Sequence, residues 1–390
     1  MRAPSLGLVA SPAAHPRALL LLPAGLSMLA GTAAALHLLG LGGPHVAERW
    51  AAVHGPLMVL AFVGTVVALE RAVALRSRWG YSSPALLGAG GLLLLSPAAP
   101  AVGRVALLAG TLALLGVSAG LWRRAAALPL AVQQLGAVCG TMAAALWVAD
   151  AAVPFLAPWL VGFLVLTVLG ERLELGAVGR AVAGPGGVGT DRLATVLAAA
   201  YVVAASAALA VPGPGYVVLG AVLLALVATV ARDDVARRTV RASGQTRFMA
   251  VAMLAGYAWL LVAGGVWLVA GPAWQGPAYD AVLHAVFLGF VLSMVMAHAP
   301  VILPAVVRRP LPYRPAFYGP LVLLHASLVV RVLVGDAWGV PEAVLVGGVL
   351  NVVALLAFVA LAAAGVVAGP RPGVRTSRAA RAAGVGRVVA

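Results

Sequence analysis

Long apolar runs of roughly constant length dominate the chain, separated by short stretches rich in arginine, proline and glycine. A bilayer-crossing helix needs about 20 predominantly apolar residues. With that window the pattern divides into twelve segments, at 18–41, 51–75, 84–101, 104–122, 129–149, 153–174, 192–211, 215–231, 248–270, 280–304, 317–334 and 340–368. The helix breakers agree with the division. Pro84, Pro129, the run Pro212-Gly213-Pro214-Gly215, Gly271-Pro272 and Pro312 all fall at or between segment ends. Trp50, Trp79, Trp122, Trp147, Trp274 and Trp338 lie near ends as well, where an amphipathic ring favours the membrane interface. The expectation is an all-α polytopic membrane protein with twelve transmembrane helices in one domain, 1–368. A small, basic, disordered cytoplasmic tail follows at 369–390.

Charge placement supplies an independent test of the count. All 26 basic residues are arginine, and alternating loops of a twelve-span chain with a cytoplasmic N-terminus put 23 of them inside. Only Arg49, Arg104 and Arg331 are left for the outer loops. Missing one span would invert every later loop, so the asymmetry argues for twelve spans and both termini inside. Composition agrees: 63% hydrophobic, 9% charged and a mean hydropathy of +1.05 exclude a soluble globule. A net charge of +15 would suit nucleic acid, but its confinement to loops reads as a topology signal and the bilayer as the partner. The single cysteine, Cys139, allows neither an intrachain disulfide nor a cysteine-based metal site. The first apolar run exceeds a signal-peptide core and reads as a retained helix.

Three segments can be superimposed. AFVGTVVALERA from Ala61, GFLVLTVLGERLE from Gly162 and GFVLSMVMAHAP from Gly289 each place an ionisable residue nine positions after a small one. Those residues are Glu70, Glu171 and His298, and the first two belong to Glu-Arg dipeptides. Repeats of this spacing would build a pseudo-threefold bundle of three four-helix units. Ionisable side chains within membrane segments are costly and raise a functional question by default. Glu70, Glu171 and His298 form an inner layer that could relay protons or ions, or whose carboxylates could simply pair with arginines at the cytoplasmic rim. A proton- or ion-coupled secondary transporter would use the first option.

The histidines form a second layer. His54 lies about 6 Å inside the outer end of its helix at 1.5 Å per residue, and His284 lies equally deep after Asp280. His37 falls within about one turn of the same surface, and His45 follows in the outer loop. Imidazoles on different helices can ligate a metal or a haem iron, or can hydrogen-bond neighbouring helices at the wet rim. His54 and His284, with Gly55 and Gly289 nearby, are the favoured ligating pair. His37 and the deeper His325 are the further candidate metal ligands. No histidine lies between His54 and His284, which excludes a three-histidine copper centre from the middle of the chain. No HExxH, no nucleotide-binding glycine loop and no Ser-His-Asp arrangement with a soluble domain to hold it is present.

HGPLMVLAFVGTVVALERA at 54–72 resembles the second-helix signature of NnrS-type proteins, and HAVFLGFVLSMVMAHAPVILPAVVRRPL at 284–311 resembles their late His-Ala-x-x-x-Gly segment. That family comprises twelve-helix haem- and copper-associated proteins of the bacterial inner membrane linked to nitric-oxide metabolism and nitrosative stress. They are similar in architecture to the catalytic subunit of haem–copper oxidases. The resemblance implies haem b held by His54 and His284, a small gaseous or redox partner, and a role in nitric-oxide handling or electron transfer. The chain also departs from the pattern. Ala52 stands where the family has the first histidine of His-x-His, the late His-Thr-Gly-Arg is replaced around Pro304 and Val307-Arg308-Arg309, and Val286 occupies the oxidases' second histidine position. The resemblance therefore carries haem but not copper or oxygen reduction, and it names no catalytic residue.

Overall fold

The structure, a computed structural model, describes residues 19–42, 45–182, 185–307 and 309–368. The tail expected at 369–390 lies outside the described residues. Among those residues the chain is helical throughout, with no strand. We number the principal helices α1 (Leu21–Leu38), α2 (His54–Leu75), α3 (Ser82–Leu95), α4 (Pro100–Ala125), α5 (Leu128–Val148) and α6 (Val153–Val182). The second half contains α7 (Pro185–Ala210), α8 (Pro212–Asp233), α9 (Gly244–Ala270), α10 (Gly276–Pro304), α11 (Pro315–Ala337) and α12 (Pro341–Ala368). Prolines open α4, α8 and α12, where a missing N–H costs nothing because the first turn has no intrahelical acceptor for it.

Eleven of these helices are long and apolar enough to cross a bilayer. The exception is α3, with 14 residues where a span over 84–101 was expected. Ser96 leaves helical geometry, and Pro97 follows it. A 14-residue helix rises about 21 Å, short of a hydrocarbon core of about 30 Å. Its last carbonyls are not left bare. Arg49 donates to Leu95 O and Ser96 O at 3.1 and 2.9 Å, and the Trp50 indole N–H reaches Leu95 O at 3.4 Å. The residues that precede α2 therefore cap the far end of α3.

Consecutive helices pack as neighbours along most of the chain, and α6 is the most enclosed of the spans. Three helices are not α-helical throughout. Leu57–Val63 in α2, Ala285–Leu292 in α10 and Val329–Ala337 in α11 are wound as π-helix. Such turns carry extra residue per turn, rotate everything beyond them and are frequent at functional sites. All three stretches belong to helices that border one cavity.

Candidate functional site

Between α1, α2, α6, α10, α11 and α12 lies a cavity of about 520 Å³. That volume is within the range of small-molecule and cofactor sites, and its wall has the matching composition, largely apolar with a few polar groups. Met58, Phe62 and Phe287 supply apolar and aromatic surface, while His54, Asp280, His284, Arg331 and Asn351 supply polar atoms.

Both histidines have Nδ1 fixed on a backbone carbonyl, one across helices and one within its own helix. His54 Nδ1 lies 3.0 Å from Gly31 O, and His284 Nδ1 lies 2.8 Å from Asp280 O. A backbone carbonyl only accepts, so in each ring Nδ1 must carry the proton and donate it. The lone pair of the neutral ring is then on Nε2, which makes no hydrogen bond among the described residues. Met58 packs directly on α1 at this turn because Gly31 has no side chain: a Cβ there would sit 2.2 Å from Met58 Sδ. His284 stands immediately before a π-helical stretch and His54 three residues before another, with Pro56 intervening in the first turn of α2.

Behind His284 stands a charged pair. Arg331 donates through Nε to Asp280 Oδ2 and through a terminal nitrogen to Asp280 Oδ1, each at 2.7 Å, a bidentate fork. Asp280 Oδ1 is also 3.2 Å from His284 Nδ1. Arg331 is buried, and α12 accommodates it with two glycines. A Cβ on Gly347 would meet Arg331 Cβ at 2.7 Å, and one on Gly348 would meet its guanidinium at 2.8 Å. Arg331 had been counted with the outer loops on charge alone; it is inside α11 and borders the cavity. Asn351 on α12 donates to Ser327 Oγ at 2.6 Å, while its Oδ1 is buried without a partner among the described residues.

The other candidate ligands lie elsewhere. His325 accepts the Trp259 indole N–H at Nδ1 (2.9 Å) and is 3.2 Å from Ser293 Oγ at Nε2. With both ring nitrogens engaged and no place in the cavity wall, it joins helices and presents no free lone pair. His37 is also absent from the wall, which α1 lines with Gly31, Thr32, Ala35, Leu38 and Leu39. Its Nδ1 is buried without a hydrogen-bond partner among the described residues.

The inner layer is separate from the cavity. Arg71 contacts Glu171 at 2.6 Å, Glu70 at 3.2 Å and Glu174 at 3.8 Å, and donates to Gln133 Oε1 at 2.6 Å. Gln133 in turn donates to Glu174 at 2.9 Å. Arg172 forms a second assembly, bidentate to Asp234 at 3.0 and 2.8 Å, with Tyr257 donating to the same carboxylate at 2.6 Å and Ala236 N–H at 2.7 Å. Burial pushes Asp234 upward, but the hydrogen bonds and charge of Arg172, with Tyr257 and the Ala236 N–H, outweigh it and hold the carboxyl below its ordinary range. His298 donates Nδ1–H to Met294 O at 2.8 Å, within electrostatic reach of Arg172, Glu70 and Asp234. Glu70 and Glu171 both pair with the same guanidinium, that of Arg71.

Among the described residues no group of three or more His, Cys, Asp or Glu side chains is placed to share a metal ion. The cavity thus offers two imidazoles, not a polydentate cage. The fold and this intramembrane cavity define a multi-pass helical membrane protein. The chain belongs to the family described as a domain of unknown function (DUF8744), which matches it over residues 17–367. No curated protein and no solved structure matches it.

Proposed function

We propose that the protein is a haem-carrying electron-transfer protein of the bacterial inner membrane, with one b-type haem between His54 and His284. A single observation carries the reading. Two imidazoles border one largely apolar cavity, each with Nδ1–H fixed on a carbonyl and the Nε2 lone pair uncommitted. Fixing one ring nitrogen on a carbonyl sets the tautomer and orientation of a ligating histidine. Bound there, the group would supply one-electron transfer, and two protein ligands leave no open position for a substrate. That favours electron transfer over direct nitric-oxide chemistry at this site. The chain's own part is to orient both rings, exclude water with Met58, Phe62 and Phe287, and present the Arg331–Asp280 pair beside one ligand. Coupled transport has less support, because the two carboxylates it would use are both tied to Arg71.

The same reading takes α3 as a short twelfth crossing, with both termini cytoplasmic. Arg49 and Trp50 cap its last carbonyls, so its end lies level with the entry to α2, and the arginine asymmetry is kept. The repeat has local support in two clamps: Arg71 and Arg172 of the Glu-Arg dipeptides each reach a partner 62 residues on, Gln133 in α5 and Asp234 just after α8. The third unit has no counterpart to those arginines, since Ala299 follows His298.

The test is the visible spectrum of the detergent-purified protein expressed with ample haem supply. A Soret band with sharp reduced α and β bands, lost in His54→Ala and in His284→Ala, is expected. Haem-free protein under those conditions would overturn the proposal.

A further inference from the structure

Within the cavity wall the two histidines are treated unequally. His54 meets only a neutral carbonyl, on Gly31. His284 meets a carbonyl and a carboxylate oxygen of the same residue, Asp280, and that carboxylate is gripped by the buried Arg331. The arrangement is built, not incidental: α10 supplies the acid, α11 supplies the base from its π-helical stretch, and α12 clears space with Gly347 and Gly348. A carboxylate beside the Nδ1–H of a ligating imidazole raises the basicity of the other nitrogen. A cation on that carboxylate moderates the effect. We infer that Asp280 and Arg331 are positioning residues that set, with opposite signs, the electron affinity of a metal held at His284 Nε2.

The inference rests on the haem reading and adds to it a site of regulation on one ligand only. Asp280→Asn keeps the backbone carbonyl that fixes the His284 tautomer but removes the negative charge, leaving Arg331 unbalanced. The reduced state is then favoured. Arg331→Gln removes a positive charge from the cavity wall and frees the carboxylate to act on Nδ1–H, so the oxidised state is favoured. Asp336 provides a control. It is close enough to Asp280 to interact with it, but the structure gives it no contact with His284.

The experiment is a redox titration of the purified full-length protein, with haem content measured in parallel and the low-spin ferric electron paramagnetic resonance spectrum recorded. Asp280→Asn is expected to raise the midpoint potential and Arg331→Gln to lower it, each by about tenfold or more in the reduction equilibrium, or 59 mV for one electron. The g-values should move in both, and Asp336→Asn should shift the potential less than Asp280→Asn. Where a neutral variant purifies without haem, the charge-keeping Asp280→Glu or Arg331→Lys at that position is expected to restore haem at a near-wild-type potential. A charge-keeping variant that binds haem but shifts as far as is expected of the neutral one overturns the inference. Wild-type potential in every neutral variant that bears haem overturns it and leaves the haem reading standing. Equal shifts in Asp336→Asn and Asp280→Asn also overturn it, since a general field would then suffice. A wild-type protein without haem removes the earlier reading itself.

Discussion

The Arg172–Asp234 pair allows a prediction of stability from its geometry alone. The two side chains are 4% and 1% exposed, so neither charge has water to fall back on. Asp234 accepts two bonds from Arg172, one from Tyr257 and one from the Ala236 N–H. Breaking a buried pair by removing one partner costs about 3–5 kcal/mol, because the survivor is left charged and dry. Asp234→Asn keeps the shape and one acceptor oxygen, which puts it near the lower bound, about 3 kcal/mol. Asp234→Ala also strands the Tyr257 hydroxyl, worth a further ~1 kcal/mol. In Arg172→Met/Asp234→Leu both charges are gone, so the double variant should lose less than the sum of its singles by about 2–3 kcal/mol.

Pair removal is read by unfolding in mixed micelles of dodecyl maltoside and SDS, followed by tryptophan fluorescence, as a double-mutant cycle. Singles that each cost under about 1 kcal/mol, or a double that is additive within about 0.5 kcal/mol, would refute the reasoning. The pH dependence has a definite sign. The folded carboxyl lies below its unfolded value, so its contribution is fully present above about pH 4 and disappears as pH falls through the folded pKa. A wild-type stability that already declines between pH 7 and 5 in step with this pair would contradict that assignment.

Three further outcomes follow from the same contacts. Gly31→Val should force Met58 aside, displace the carbonyl that holds His54 and reduce haem content measured by absorbance, while Gly25→Val, with open space around it, should leave the spectrum unchanged. His325→Leu should preserve haem content yet lower stability by about 1–3 kcal/mol in the same unfolding assay, by orphaning the buried Trp259 N–H. A spectrum altered as deeply as in His284→Ala would return His325 to the ligand set. Arg71→Met should destabilise by several kcal/mol, and Glu171→Gln in that background should recover part of the loss, since it removes one of the stranded carboxylates; no recovery would mean that Glu171 is not a main partner.

Much of the frame was readable from the chain, because lipid imposes a single periodicity: a run is long enough to cross or it is not. Of the 24 boundaries, 21 fell within four residues of the helix ends for that reason. The third segment was extended too far, to residue 101, because Ser96-Pro97 is a weak interruption in an apolar run and only the Arg49 cap marks the helix end. The site was less legible. His54 and His284 stood out as rare ionisable groups, but Arg331 was hidden by the success of the charge rule, which assigns an arginine to a loop without asking what it touches. The signal was present: Arg331 lies in an apolar run with Asp336 five residues on. Asn351 carried no charge and no pattern, so nothing singled it out. Nor does a count of 3.6 residues per turn give the relative facing of His54 and Glu70, or of His284 and His298, because π turns intervene in α2 and α10.

The two arginine clamps have a consequence for how the chain can be divided. At the same 62-residue distance one clamp closes on a carboxylate and the other on a neutral amide, Gln133. The first cation therefore draws its main counter-charge from Glu171, a hundred residues away in the following unit. A severed N-terminal unit would leave the Arg71 guanidinium with Glu70 alone and without its closest carboxylate, Glu171, whereas Arg172 and Asp234 stay on the same side of that cut. If these units descend from a common ancestor, the first has surrendered its independence to the second. Split-chain complementation should show the asymmetry, with fragment 1–126 accumulating only when its partner is made in the same cell.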